Sequence, residues 1–317
     1  MMPAPVKILQ YNVLFANDDT QATPWEQRAA ALRAWINHLD PDVITLQEIT
    51  KGTRADNGET VDMLANILDG SALAHSVFGP ACDEVMANVN PGQRGVVLGN
   101  AIASRWPITS SEVRTLPTFI EEGVSKTSAS QRSAVWARIE SPTGPLSVTC
   151  THLTAVAHHG ANRADQMAAV LELVKSHQQT AVGAVGIMPS ILCGDMNAID
   201  QTDEIRYACG HHAHKGHSAP LALHDAWPSA NIGRPEEEGH TMRRSAAMAT
   251  AIGDPRINYC YSRRIDYVLV GTPGLDGAGH VESCEVVGDD RFGGIWPSDH
   301  MGVLAQLRAP SAPNHKL

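Results

Sequence analysis

Aromatic side chains are scarce in this sequence: 6 Trp, 5 Tyr and 4 Phe amount to 5% of 317 residues. Positive charge is scarce too, since 24 Lys and Arg stand against 34 Asp and Glu, a formal net charge of -10. Unpaired nucleic acid is held by stacking bases on aromatic faces above a basic groove. With little of either, a tight grip on long DNA is disfavoured, although a local basic cleft stays open. The six cysteines form no C-x-x-C pair, which argues against a disulfide framework or a cysteine zinc site and for reduced core thiols. No apolar run reaches 18 residues, and Met1 to Lys7 enters strand-like sequence without the basic flank and apolar core of a secretory signal. The expectation is a soluble, cytoplasmic protein with no transmembrane segment, no evident protein partner and a small substrate.

What the chain does have is 43% apolar residues, enough for a large core, arranged in strand-like runs that finish in polar groups. Residues 189–193 form an apolar run that ends in Gly194-Asp195-Met196-Asn197, putting a carboxylate and an amide together at a strand tip. A carboxylate there can take a proton from water, and the amide can hold that water or a ligand oxygen. Residues 6–13 read as a strand delivering Asn12. A helix follows, with Thr23 as its cap, Pro24 in its first position and Glu26 completing a capping box; Asp40-Pro41 stops it. Residues 42–48 then read as a second strand ending in Glu48, 51–58 as a loop, and 59–69 as a short helix.

Residues 72–78, 96–104 and 110–116 read as successive antiparallel strands, 121–130 as a mobile loop, and 131–151 as a hairpin ending in Thr151-His152. An amphipathic helix over 161–177 leads into the 189–193 strand. The histidines at 211, 212, 214 and 217 suit either a transition-metal site or a solvated loop. Further strands are read at 264–270, 281–287 and 301–307, the last preceded by Ser298-Asp299-His300. Strands and two principal helices spread along the whole length point to two face-to-face sheets with helices outside, in one domain over 1–308 with a flexible tail at 309–317.

The polar groups at strand ends are Asn12, Glu48, His152, Asp195, Asn197, Asp266, Asp299 and His300. Singly, each reads as a turn former or a structural histidine. Together, through Tyr11-Asn12, Leu46-Gln47-Glu48, Thr151-His152-Leu153, Gly194-Asp195-Met196-Asn197, Arg264-Ile265-Asp266-Tyr267 and Ser298-Asp299-His300, the sequence resembles the endonuclease/exonuclease/phosphatase superfamily, in that family's order and over nearly the whole chain. The resemblance is to its deoxyribonuclease-like and sphingomyelinase-like members, which carry a histidine at the position of His152.

The resemblance implies an α+β fold, a four-layer αββα sandwich of two mainly antiparallel sheets with outer helices, and hydrolysis of a phosphate ester assisted by one or two Mg2+ or Mn2+ ions. It implies Glu48 as the principal metal ligand, with Asn12 and Asp299 in the inner or outer shell. Asp195 is implied as the group that positions or deprotonates water, and Asn197 as the holder of that water or a phosphate oxygen. His300, oriented by Asp266, and His152 are implied as donors to the phosphoryl oxygens. Arg132, Arg163 and Thr241 border these motifs and are candidates to meet phosphate. A small or lipid-like phosphate ester is the favoured substrate, a nuclease the alternative, and an inactive binding protein on the same fold a third reading.

Overall fold

The computed structural model describes residues 3–17, 21–82, 93–118, 131–178 and 184–310. The loop expected at 121–130 and the end of the tail, 311–317, lie outside them, while Ala309, at the start of that tail, is buried. In chain order the elements begin with β1 (Val6–Asn12), α1 (Trp25–Leu39), β2 (Val43–Thr53), β3 (Thr60–Asp62), α2 (Met63–Leu68), β4 (His75–Cys82), β5 (Val96–Ser104) and β6 (Ile108–Thr115). The hairpin β7 (Ser133–Ser141) and β8 (Gly144–His152) follows, then α3 (Gly160–Ser176), β9 (Ile191–Asp195) and α4 (Asp203–Ala208). Last come the two-residue strands β10 (Ala213–His214) and β11 (His217–Ser218), β12 (Leu223–Asp225), α5 (Ala226–Ala230), α6 (Ala246–Ile252), β13 (Asp266–Gly271), β14 (Val281–Val287) and β15 (Gly302–Leu307).

Two mixed sheets carry the fold. One runs β14-β15-β1-β2-β5-β4 with β3 beside β2, and the other runs β12-β13-β9-β8-β7-β6. Pairing is antiparallel except between β1 and β2 and between β8 and β9, each pair being linked by a helical crossover as parallel neighbours require. Side chains alternate across a strand, so Ile8, Val43 and Val303 meet Val148, Cys193 and Val268 between the sheets. On the outer face of the first sheet Leu9, Ile44 and Leu46 pack on Leu32, Trp35 and Ile36 of α1. On the outer face of the second, Leu192 and Leu269 pack on Met167, Val170 and Leu171 of α3. Helix, sheet, sheet and helix are the four expected layers.

Three local expectations fail for tertiary reasons. Thr23 does not cap α1: its hydroxyl donates to the Ala251 carbonyl at 2.6 Å, and the helix starts behind Pro24 with no side-chain cap bond. The strand carrying Glu48 does not stop there; it bulges and continues to Thr53, pairing Lys51–Thr53 with β3 where a loop was expected. The strand after β5 is not its neighbour, because β6 crosses to the second sheet and pairs with β7. Among the described residues, no helix is long and apolar enough to cross a membrane. Cys150, Cys193, Cys209, Cys260 and Cys284 are all free thiols.

Candidate active site

Strand register builds the site. In the second sheet His152 pairs with Asp195, and Asp195 with Asp266, so three neighbouring strands present these residues in one row. Residues 148, 150 and 152, like 191, 193 and 195, share the face turned toward the first sheet, as the burial of Val148, Cys150, Ile191 and Cys193 between the sheets shows. The same period of two in β1 takes Ile8, Gln10 and Asn12 to that face. Straight alternation in β2 would bury Glu48 with Ile44 and Leu46 against α1. The bulge prevents this: the register shifts between Leu46 and Ile49, Glu48 adopts φ +63°, and Ile49 takes its place in the helix-side core. Glu48 is thereby turned to the rim beside Asn12.

At the rim the side chains interlock. Asn12 Nδ2 donates to Asp195 Oδ2 at 2.9 Å and to Glu48 Oε1 at 3.1 Å, while its oxygen accepts from the Leu14 N–H at 3.1 Å. Glu48 Oε2 accepts from the Phe15 N–H at 3.2 Å. Asp195 Oδ2 also lies 3.3 Å from His152 Nε2 and 3.8 Å from His300 Nε2, and its Oδ1 accepts from the Asn197 N–H at 2.9 Å. His300 Nδ1 meets Asp266 Oδ2 at 2.8 Å. Asn197, held in the left-handed region at φ +47°, donates from Nδ2 to the Leu153 carbonyl at 3.1 Å and sits 3.0 Å from His152 Nε2.

Burial and neighbouring charge sort these groups by protonation. Burial followed by the Asp266 carboxylate pushes the Asp195 carboxyl up to about 7. Burial alone would lower His300, but the Asp266, Asp195 and Asp299 carboxylates outweigh it and hold the imidazole protonated well above its ordinary range. His152 goes the other way, lowered by burial, then by Arg132 and His300. Arg132 Nη1 lies 3.3 Å from His152 Nδ1. A guanidinium only donates, so Nδ1 accepts from it, while Nε2 faces the Asn197 amide nitrogen at 3.0 Å as well as Asp195 Oδ2 at 3.3 Å.

All eight expected site residues therefore meet at one rim, with the Asp299 carboxylate raising that of Glu48 by charge and lying 3.3 Å from Ser298 Oγ. Of the three residues considered as phosphate contacts, only Arg132 meets a side chain of this group. Arg163 is spent on a buried pair with Glu204 at 2.6 Å and on the carbonyls of Val156 and Ala157. Thr241 Oγ1 accepts from the N–H groups of Ile265 and Asp266 at 3.1 and 3.2 Å, fixing the backbone beneath Asp266. The histidines of 211–217 do not converge: His214 pairs with Asp165 at 2.6 Å and His212 lies 3.7 Å from Asp203.

Sequence reasoning missed the floor of the site. Gln10 and Gln47, both fully buried, exchange amide hydrogen bonds with each other, and Gln10 reaches Asp266 Oδ1 at 3.4 Å. Their signal was available, because a glutamine inside an otherwise apolar strand must find a partner when buried.

The donor set suits a hard divalent cation. Burial, then the nearby Asp299 carboxylate, raises the Glu48 carboxyl, so two acids share a partly desolvated space that a bound cation relieves. Asn12 presents its amide nitrogen to Glu48 and Asp195, its oxygen being held by the Leu14 N–H. Asp195, Asp266 and His300 form a second candidate group, with ligand atoms within 4.8 Å of one another.

Similarity to known proteins agrees with this geometry. No curated protein sequence matches the chain. Among solved structures, an endonuclease/exonuclease/phosphatase from Beutenbergia cavernae DSM 12333 superposes with TM-score 0.66 at 25% identity, over 98% of this chain and 73% of that one. The human Nocturnin catalytic domain with bound sulfate anion gives 0.65 at 18% identity, covering 97% and 96%. D. rerio TDP2 humanized by 14 mutations gives 0.64 at 17%, covering 96% and 99%. The last two speak for the fold alone. The sequence itself matches the profile described as Endonuclease/Exonuclease/phosphatase family over residues 9–300, and with that span the chain belongs to this family of metal-dependent phosphoester hydrolases.

Proposed function

We propose that the protein hydrolyses a small or lipid-like phosphate ester, with Mg2+ or Mn2+ held by Glu48 and Asp299 and braced by Asn12. One observation carries the reading: Asp195 Oδ2 sits 3.3 Å from His152 and 3.8 Å from His300 at the rim shared with Glu48 and Asp299. A bound divalent cation supplies charge neutralisation at a phosphate oxygen. The protein's own groups do the rest. Asp195, with a carboxyl pushed up to about 7, accepts a proton from the attacking water near neutral pH. Asn197 holds that water or a phosphate oxygen. His300, kept charged by Asp266, and His152 donate to the phosphoryl oxygens as negative charge grows. The net charge of -10 and the few aromatics favour a small ester, and the free thiols of the core suit the cytoplasm. A nuclease is the second reading, favoured by the likeness in fold to D. rerio TDP2 complexed with single strand DNA product.

The test is hydrolysis of bis-p-nitrophenyl phosphate and p-nitrophenyl phosphate, with Mg2+, Mn2+ or chelator, beside single-stranded DNA and RNA at moderate salt. Turnover is expected to need metal and to be lost in Glu48→Ala. Asp195→Asn is expected to lower it about a hundred- to ten-thousand-fold. Near-normal rates in the folded variants would falsify the roles, and a preference for DNA or RNA would select the second reading.

A further inference from the structure

Arg28 lies on the face of α1 turned toward the end of β1 and is fully buried, at 0% exposure. Its Nη1 donates to the carbonyls of Val13 at 2.9 Å, Leu14 at 3.2 Å and Pro297 at 3.0 Å. Its Nη2 donates to the carbonyls of Leu14 at 3.2 Å and Phe15 at 3.1 Å and to Gln21 Oε1 at 2.9 Å. The same peptides face the site with their other ends. Leu14 gives its N–H to Asn12 Oδ1 and Phe15 gives its N–H to Glu48 Oε2, while Pro297 precedes Ser298, whose hydroxyl donates to the Asn12 carbonyl at 2.7 Å. Leu14 also sits at φ +53°, a conformation that a β-carbon disfavours and that surrounding contacts must hold in place.

We propose that Arg28 is a positioning residue for the cation site: one guanidinium ties residues 13–15 to Pro297 and so fixes Asn12, Glu48 and Asp299 relative to one another before any ion arrives. The inference rests on the assignment of Glu48 and Asp299 as cation ligands. A fork of fixed donors serves four carbonyls in two segments at once, which a lysine's single nitrogen cannot reproduce. Supporting groups of this kind change metal affinity by about ten- to a hundredfold when lost.

Arg163 provides a matched control, because it too is a buried arginine clamping backbone carbonyls, but at Val156 and Ala157, away from Glu48 and Asp299. Mn2+ binding would be measured by titration calorimetry and electron paramagnetic resonance on the full chain, for wild type, Arg28→Met, Arg28→Lys, Arg163→Met and Glu48→Ala. The expected result is Mn2+ affinity weakened about ten- to a hundredfold in Arg28→Met and several-fold in Arg28→Lys, with turnover largely recovered at saturating metal. Arg163→Met is expected to unfold more easily yet bind Mn2+ as wild type does. Unchanged Mn2+ affinity in Arg28→Met, or in Arg28→Lys should the first variant not fold, overturns the proposal, as does an equal loss in Arg163→Met. A wild type with no Glu48-dependent Mn2+ binding overturns the cation assignment and this proposal together; Glu48-dependent binding that ignores Arg28 overturns this proposal only.

Discussion

Asp266 touches no water and no substrate in the proposed chemistry, yet it governs the charge of His300 across a 2.8 Å contact. The His300 imidazole is raised despite its burial because Asp266, Asp195 and Asp299 surround it, so the protonated, donating form is present at low pH and is lost as pH climbs through that raised value. The stability linked to this proton follows the same course, complete below the ordinary imidazole range and declining above it. Asp266→Asn removes a charge that holds the proton. The alkaline limb of the pH–rate profile, recorded at saturating metal, is expected to move to lower pH; a limb that stays in place would mean that His300 does not donate. At this scale the sequence was legible where a residue's role depends on its chemical type. A histidine, an acid and an amide at strand ends announced themselves. Gln10, Gln47 and Arg28 did not, because their importance comes from partners far away in the chain.

At the scale of the element, the sequence places His152, Asp195 and Asp266 at strand ends, and the register of β8, β9 and β13 brings them into one row. The row depends on close backbone approach at Gly194. A β-carbon there would lie 2.2 Å from the Thr151 carbonyl oxygen, so Gly194→Ala must push β9 off β8 directly beside Asp195. Strain of this kind costs about 1–3 kcal/mol, and a displacement near 1 Å in a reacting group costs about a hundredfold in rate. Denaturant midpoints and turnover of Gly194→Ala are therefore expected to fall together. The β2 bulge was not legible, because residues 42–53 contain no glycine before Gly52 to mark it and Glu48 itself takes the left-handed conformation. Nor was the passage of β6 to the second sheet, which is decided by what its side chains pack against rather than by its own pattern.

For the whole molecule, the layers were foreseen because alternating runs and two strong helical faces allow few arrangements. The proposed cation site joins distant parts of the chain: Glu48 sits at the β2 bulge and Asp299 just before β15, and they meet only when β15 and β2 flank β1 in the first sheet. An ion that binds only the folded state stabilises it by mass action, about 2.7 kcal/mol at a concentration one hundred times its Kd. Chelator is expected to lower the unfolding midpoint of wild type. In Glu48→Gln the carboxylate that crowds Asp299 is gone, so the metal-free protein is expected to unfold later than metal-free wild type, with no further gain on adding Mg2+. Calorimetric midpoints with and without metal decide this, and a Mg2+-induced rise that survives in Glu48→Gln would place the ion elsewhere.

The position of β1 between β15 and β2 sets a schedule for the growing chain. The strand that carries Asn12 is made roughly 15–60 s before residues 302–307, which cover its other edge, at about 5–20 residues per second. Late in that interval the nascent protein owns Asn12, Glu48, His152 and Asp195 but lacks the strand that brings Asp299 and His300 into place. Translation thus leaves the proposed site incomplete until β15 has been made.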